Sequence, residues 1–275
     1  MTSSQHRTSL IVSSILLLQS VTACNAQEPE SDRFFRGHMQ KSSNETLQID
    51  ACATTLVEIS ASANGFKISS PATESLVDVE EELEDTEIVA GDFWNNGRCF
   101  VAIKSSASLV NESFDIHRVD SENTGPQWST INPEFIGGRV ISSYRDAARW
   151  HEEALCYSES IDSPYICWKR ETATNELQRL TECNDKGECD DRSMVLTGTD
   201  EAANAIVSAD RAFFLQNSGE SLERRRSYLI SGDSVTLLDF LEVTGSLYFK
   251  VRYCGDTGTR VGWLSSDDLT ITASD

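Results

Sequence analysis

Three histidines beyond the first 23 residues are the chain's candidates for acid–base chemistry: His38, His117 and His151. His151 is the strongest, because Glu152 and Glu153 follow it and a neighbouring carboxylate can orient an imidazole for proton transfer. The same residues are also typical of a polar strand surface. His117 lies in an alternating segment and is predicted to be an exposed strand residue.

No recognised catalytic motif accompanies these histidines. The chain contains no GxSxG, HExxH, P-loop or GxGxxG pattern. A glycosidase pair among the scattered carboxylates is the remaining enzymatic alternative, since sequence spacing does not reveal such a pair. We therefore predict that the protein is not an enzyme and that it carries no catalytic residues, metal or cofactor.

The cysteines indicate a disulfide framework. Seven follow Cys24: Cys52, Cys99, Cys156, Cys167, Cys183, Cys189 and Cys254. The predicted pairs are Cys183 with Cys189, Cys156 with Cys167 and, by elimination, Cys52 with Cys99. An odd number leaves at least one cysteine unpaired or bonded between chains. Zinc binding is the rival interpretation, but no CxxC occurs and the spacings match no tetrahedral site.

Charge excludes several classes of partner. The chain of 275 residues has 23 basic and 44 acidic side chains, for a formal net charge of -21. Nucleic acids and anionic lipid surfaces require basic patches, so neither is an expected partner. A basic protein is the partner that this charge favours.

Residues 78–87 form the densest acidic run of the sequence. A solvated surface loop is the simplest interpretation, and a docking patch for a basic partner is the alternative. The candidate partner-binding residues in the run are Glu80, Glu81, Glu82, Glu84 and Asp85.

The N-terminus predicts export and a lipid anchor. Residues 10–18 form an apolar stretch too short for a membrane-spanning helix, which is typical of a signal peptide over 1–23. Val21-Thr22-Ala23-Cys24 resembles the bacterial lipobox, which implies acylation of Cys24; an ordinary signal peptide is the alternative. Under this resemblance Asn25 implies sorting to the outer membrane, facing the periplasm, with the lipid as the only membrane contact. Residues 24–45 are polar and predict a flexible tether. Phe34 and Phe35 are the exceptions within it, and docking onto the domain or a partner is the alternative for them.

The remaining sequence predicts two β-rich units. In residues 46–200 apolar and polar residues alternate, and Asn64-Gly65 is a strong hairpin signal. Residues 201–211 are interpreted as a helical or linker stretch, and residues 205–275 contain three further strand-like runs. We predict an all-β, mostly antiparallel protein with a propeller-like or meander domain and a small barrel.

The first unit resembles VCBS/FG-GAP-like repeats over residues 47–175. The resemblance lies in Asp92-Phe93-Trp94-Asn95-Asn96-Gly97 followed by the strand Cys99–Ile103. In that family the positions of Asp92, Trp94 and Asn96 are alternate ligands of a calcium loop. Trp94 offers no oxygen and Asn96 is neutral, so we expect a turn rather than a calcium site.

The second unit resembles the bacterial SH3-like domain over residues 205–272. The resemblance lies in Tyr228–Val235, in the strand Phe249–Tyr253 and in Gly262–Leu269. It implies a small barrel that binds cell-wall peptides or proteins, with Trp263 and Tyr253 as candidate contact residues. A half-buried core position is the simpler role for Trp263.

These features together predict a binding protein of the cell envelope. Some periplasmic proteins of the VCBS-like group resemble inhibitors or immunity proteins against lysozyme-like toxins. The first expectation is therefore a lipoprotein that binds and inhibits a basic peptidoglycan hydrolase. The alternative is a peptidoglycan- or envelope-binding module that acts through the SH3-like domain.

Overall fold

The protein is nearly all β. A computed structural model describes residues 34–42, 44–52, 55–72, 74–80, 85–120, 125–136, 138–190, 192–219, 221–256 and 258–272, except the side chains of 51, 52 and 55. Among these residues there are 22 β-strands and one short 3-10 turn, Ser266–Asp268, with no α-helix. The strands pair antiparallel in four sheets, so the all-β prediction is confirmed. The predicted signal peptide and Cys24 lie outside the described residues.

Sheet I is a four-stranded meander. It consists of β2 (Thr46–Cys52), β3 (Thr55–Ala61), β4 (Gly65–Ser69) and β5 (Glu74–Asp78). The predicted Asn64-Gly65 turn joins β3 to β4, which pair antiparallel. Only glycine fits at Gly65, because a Cβ there would lie 2.0 Å from the carbonyl oxygen of Val77 on β5. Buried and exposed side chains alternate along the strands, as expected for a sheet with one covered face.

Sheet II contains an unpredicted N-terminal strand. Its order is β1 (Phe35–Gln40), β6 (Asp85–Gly91), β7 (Phe100–Ala107), β8 (Glu112–Arg118) and β9 (Trp128–Ile131). The prediction of a flexible tether over 24–45 is therefore wrong for residues 35–40, which pair with β6. The reason is apolar contact: Met39 is only 4% exposed, and Phe35 packs against the same core.

Sheet III is a six-stranded meander in chain order. It consists of β10 (Pro133–Ile136), β11 (Arg139–Asp146), β12 (Arg149–Ser158), β13 (Ser163–Thr172), β14 (Leu177–Glu182) and β15 (Ser193–Leu196). Apart from β1, each strand of sheets I, II and III pairs with the next strand along the chain, as expected for the meander that was one of the two predicted architectures.

Sheets I, II and III stack face to face around two hydrophobic cores. One core joins Ile59 and Phe66 of sheet I to Ile88 of sheet II. The other joins Val89 on the opposite face of sheet II to Leu155 of sheet III. Successive residues of β6 and β7 are therefore buried, and each of these two strands contains a continuous apolar run in the sequence.

Sheet IV contains the remaining seven strands. Its order is β18 (Leu222–Leu229), β17 (Ala212–Asn217), β21 (Gly258–Ser265), β20 (Ser246–Gly255), β19 (Ser234–Val243), β16 (Asn204–Val207) and β22 (Leu269–Thr272). The helical or linker interpretation of 201–211 is wrong for residues 204–207, which form β16 between β19 and β22. The buried side chains of Ala205 and Val207 explain the strand.

Sheet IV is open among the described strands, where the sequence predicted a small barrel. Its end strands β18 and β22 have no pairing with each other. Exposed arginines on β18 are typical of an unpaired edge. Leu177 and Met194 of sheet III share the core of sheet IV, so the two predicted domains pack against each other.

Candidate functional site

The acidic run 78–87 connects sheet I to sheet II. The backbone N–H of Glu80 donates to the carbonyl oxygen of Ser105 over 2.9 Å, which fixes the start of the connection against β7. Asp85 begins β6 and lies 3.3 Å from the Nδ1 atom of His38. The Glu80 and Asp85 side chains are exposed, whereas Glu81, Glu82 and Glu84 lie outside the described residues.

The uncovered face of sheet I is also acidic. We call it the acidic face. Its outward side chains are the apolar Leu56 and Leu76 and the carboxylates of Asp50, Glu58, Glu74 and Asp78. Lys67 is the one cation on the described part of this face, and its ammonium group lies 2.7 Å from the Glu74 carboxylate. Leu56 and Leu76 are 48% and 67% exposed. Asp50 and Asp78 form no ion pair among the described residues, so the face combines free carboxylates with exposed apolar side chains.

Trp263 and Tyr253 lie on opposite faces of sheet IV. Trp263 is half-buried and pairs in register with Lys250, so both side chains are on the outer face. Tyr253 packs against the core instead, and its hydroxyl donates to Asp233 over 3.4 Å. The charge of Asp233 raises the pKa of Tyr253. The two predicted contact residues therefore do not form one surface, and the acidic run lies on other sheets.

Two predicted disulfides are confirmed. Cys156 and Cys167 join β12 to β13, and Cys183 and Cys189 close a short hairpin loop after β14. Cys99 also takes part in a disulfide, while the side chain of its predicted partner, Cys52, lies outside the described part. Cys254 is an exposed free thiol, in agreement with the odd number of cysteines.

Hydrogen bonds from backbone N–H groups to the Asp92 side chain close the loop that follows β6. The two Asp92 carboxylate oxygens accept hydrogen bonds from the backbone N–H groups of Asn96 (3.0 Å) and Gly97 (2.7 Å). The Trp94 indole is buried and donates to the carbonyl oxygen of Leu155 over 2.9 Å, which links sheets II and III. These contacts give the motif a structural role, as a hydrogen-bonded turn whose tryptophan joins the two sheets. Within the described residues, no cluster of His, Cys, Asp and Glu could hold a metal ion.

His117 contradicts its prediction as an exposed strand residue. It is 1% exposed, and neither ring nitrogen has a hydrogen-bond partner among the described residues. Burial lowers the pKa of His117, and the nearby Asp115 carboxylate acts in the opposite direction. Strict alternation failed as a predictor here because both faces of sheet II are covered.

His151 lies in a cavity rich in ion pairs. Its ring stacks on Tyr144, with the ring centroids 5.2 Å apart. The cavity has a volume of about 420 Å³, and Glu153 in its wall is 3.2 Å from the Lys169 ammonium group. Tyr144 donates to Glu153 over 3.2 Å, and burial together with this carboxylate raises the pKa of Tyr144 to about 12. The structure thus places His151 beside an ion-paired cluster, with Tyr144 as its stacking partner.

A second charged feature joins sheets III and IV. The guanidinium groups of Arg149 and Arg179 lie 4.6 Å and 4.7 Å from the centre of the Phe240 ring. Arg179 also donates to Asp239 over 2.9 Å and to Glu171. Sequence reasoning missed this group because its members come from β12, β13, β14 and β19 and share no local pattern.

No protein-family model matches this chain, and no curated protein or solved structure shows significant similarity to it. The resemblances to VCBS-like repeats and SH3-like domains therefore stay predictions from their motifs.

No helix among the described residues has the length and apolarity needed to cross a membrane.

Proposed function

We propose that this chain is a non-enzymatic envelope lipoprotein whose acidic face binds a basic protein partner. The observation that carries the proposal is the acidic face itself, where exposed carboxylates surround Leu56 and Leu76. Acylation of Cys24 would anchor the protein in the outer membrane, facing the periplasm.

The distribution of charge supports a basic partner. Residues 34–200 carry 30 acidic and 14 basic side chains, whereas residues 201–275 carry 11 and 7. A concentrated negative field attracts a basic protein and raises its association rate. Exposed leucines within such a surface supply the apolar contact that long-range charge alone does not give.

Peptidoglycan hydrolases are the partner class that we propose. A basic hydrolase would be bound close to its substrate by a lipid-anchored protein. Inhibition would be steric: a loop would enter the hydrolase cleft, with carboxylates around it pairing with lysines and arginines of the enzyme.

An inhibition assay tests this proposal. A soluble form with residues 25–275 would be added to purified sacculi together with a basic lysozyme-type hydrolase, and lysis would be followed by turbidity. We expect lysis to slow as the protein approaches equimolar amounts. Unchanged lysis at a large excess of the protein would contradict hydrolase inhibition.

Peptidoglycan binding through sheet IV is the second candidate. It is favoured by the position of Trp263, which lies on the outer face beside the exposed Lys250. An aromatic ring and a cation on one open surface suit a ligand with both apolar and anionic parts. Sedimentation of residues 25–275 with sacculi in the absence of enzyme tests it. Pelleting that is lost in Trp263→Ala would support this candidate, and a protein that stays in the supernatant would contradict it.

A further inference from the structure

We propose that a cavity beside the outer face of sheet IV binds a small anionic ligand with a phosphate or carboxylate group. The cavity has a volume of about 440 Å³. We call it the basic cavity, because Arg192, Lys250 and Arg252 converge on it. This site is separate from the acidic face, shares only Lys250 with the second candidate above, and goes beyond the proposed function.

Two of these cations have no anionic partner among the described residues. Lys250 and Arg252 are alternate residues of β20, so both side chains emerge on the same face. Both are exposed, and neither forms an ion pair within the described part of the chain. Adjacent like charges repel each other, and a bound anion would relieve that repulsion.

The carboxylate that lies opposite Lys250 on the neighbouring strand is already engaged. Asp239 pairs in register with Lys250, but its oxygens accept hydrogen bonds from Arg179 (2.9 Å), from Arg192 (3.4 Å) and from the backbone N–H of Phe240 (2.9 Å). Its side chain is only 18% exposed. The charge of Asp239 is therefore offset by two arginines and is not available to Lys250.

In the lining of the basic cavity cations outnumber carboxylates, which is the opposite of the whole chain. The whole sequence has 44 acidic and 23 basic side chains. At this place three cations face Asp190 and the already bonded Asp239. Guanidinium and ammonium groups together are the donors that phosphate and carboxylate groups prefer.

The lining of the basic cavity also indicates the chemistry of the rest of the ligand. Leu238 and Val261 contribute apolar surface beside the cations, and Val261 is 45% exposed. An anionic group attached to a partly apolar body would contact both kinds of surface. The volume suits a small molecule rather than a folded domain.

Calorimetric titration of residues 25–275 with pyrophosphate and, separately, with citrate tests this site. The two probes distinguish a phosphate from a carboxylate ligand. We expect saturable binding of at least one probe, and a loss of about tenfold or more in affinity for Lys250→Gln/Arg252→Gln, because hydrogen bonds to charged groups are being removed. Arg192→Gln should weaken binding as well, and it serves as the second variant if the double variant does not fold.

Arg225→Gln/Arg226→Gln is the matched control. It removes the same charge from the exposed edge strand β18, outside the basic cavity. We expect this control to keep the affinity within about twofold, since bulk charge alone contributes little. An equal loss in both double variants, or no saturable binding of either anion by the unchanged protein, would overturn the proposal.

Discussion

His117 is the residue whose ionisation the fold opposes most directly. Its ring is buried in sheet II, neither nitrogen has a hydrogen-bond partner among the described residues, and burial lowers its pKa. The folded state therefore holds the neutral form, while the unfolded chain binds a proton near the ordinary pKa of 6.5. Because the unfolded state then binds more protons, stability must fall as the pH drops below that value.

Replacing His117 with leucine should remove this pH dependence. We expect His117→Leu to be as stable as the unchanged protein at neutral pH, or more stable, since no hydrogen bond is lost. Between about pH 6.5 and 5 it should lose less stability than the unchanged protein. Urea unfolding across this range measures the effect. His38→Gln is the control, because His38 is exposed; the same acid loss in all three proteins would refute the assignment.

At the scale of elements, β1 belongs to the folded domain. Met39 packs into the core between sheets I and II although it lies in a segment that looks like a linker. Met39→Ala should lower the free energy of unfolding by about 2–5 kcal/mol, as truncation of a buried methionine does elsewhere. Gln40→Ala, at the exposed neighbouring position, should change it by less than about 0.5 kcal/mol. Equal small effects in chemical denaturation would show that β1 is not docked.

Trp94 holds sheet II against sheet III. Its indole N–H donates to the carbonyl oxygen of Leu155, and its ring packs 4.6 Å from that of Phe100. Trp94→Phe should cost about 1–3 kcal/mol, because a buried carbonyl loses its donor and some volume is emptied. Trp150→Phe is the control, since Trp150 is 50% exposed. If thermal melts of the two variants shift equally, the indole is not a link between the sheets.

Local patterns in the sequence were sufficient to predict many strands. Alternation and the Asn64-Gly65 turn predicted sheet I, and the spacing around Cys183 and Cys189 predicted their bond. Alternation was insufficient for His117, because a middle sheet buries both faces. It also could not predict β1 or the open edge of sheet IV, since these depend on partners distant in the chain.

The candidate sites were only partly predictable for the same reason. The acidic run is contiguous, so composition alone pointed to Glu80 and Asp85. The outward carboxylates of sheet I became one face only after its strands were paired. The basic cavity needs Arg192 from the segment before β15 and two cations from β20, and no local spacing relates them.

At the scale of the whole molecule, charge is divided between two ends of the chain. Sheet I and its connection to sheet II are acidic, while the outer face of sheet IV carries unpaired cations. Association with a basic protein should therefore depend on where carboxylates lie and not only on the net charge of -21. Added salt should slow association, because it screens the attraction between exposed charges.

The most direct test is the affinity of residues 25–275 for a basic lysozyme-type hydrolase, measured for two charge-reversed variants of equal net charge. Asp50→Lys/Asp78→Lys changes the acidic face, and Glu176→Lys/Asp256→Lys changes exposed carboxylates in turns of sheets III and IV. We predict that the first variant loses about tenfold or more in affinity and that the second stays within about threefold of the unchanged protein. Equal losses in both variants, or no measurable binding by the unchanged protein, would contradict partner binding through the acidic face.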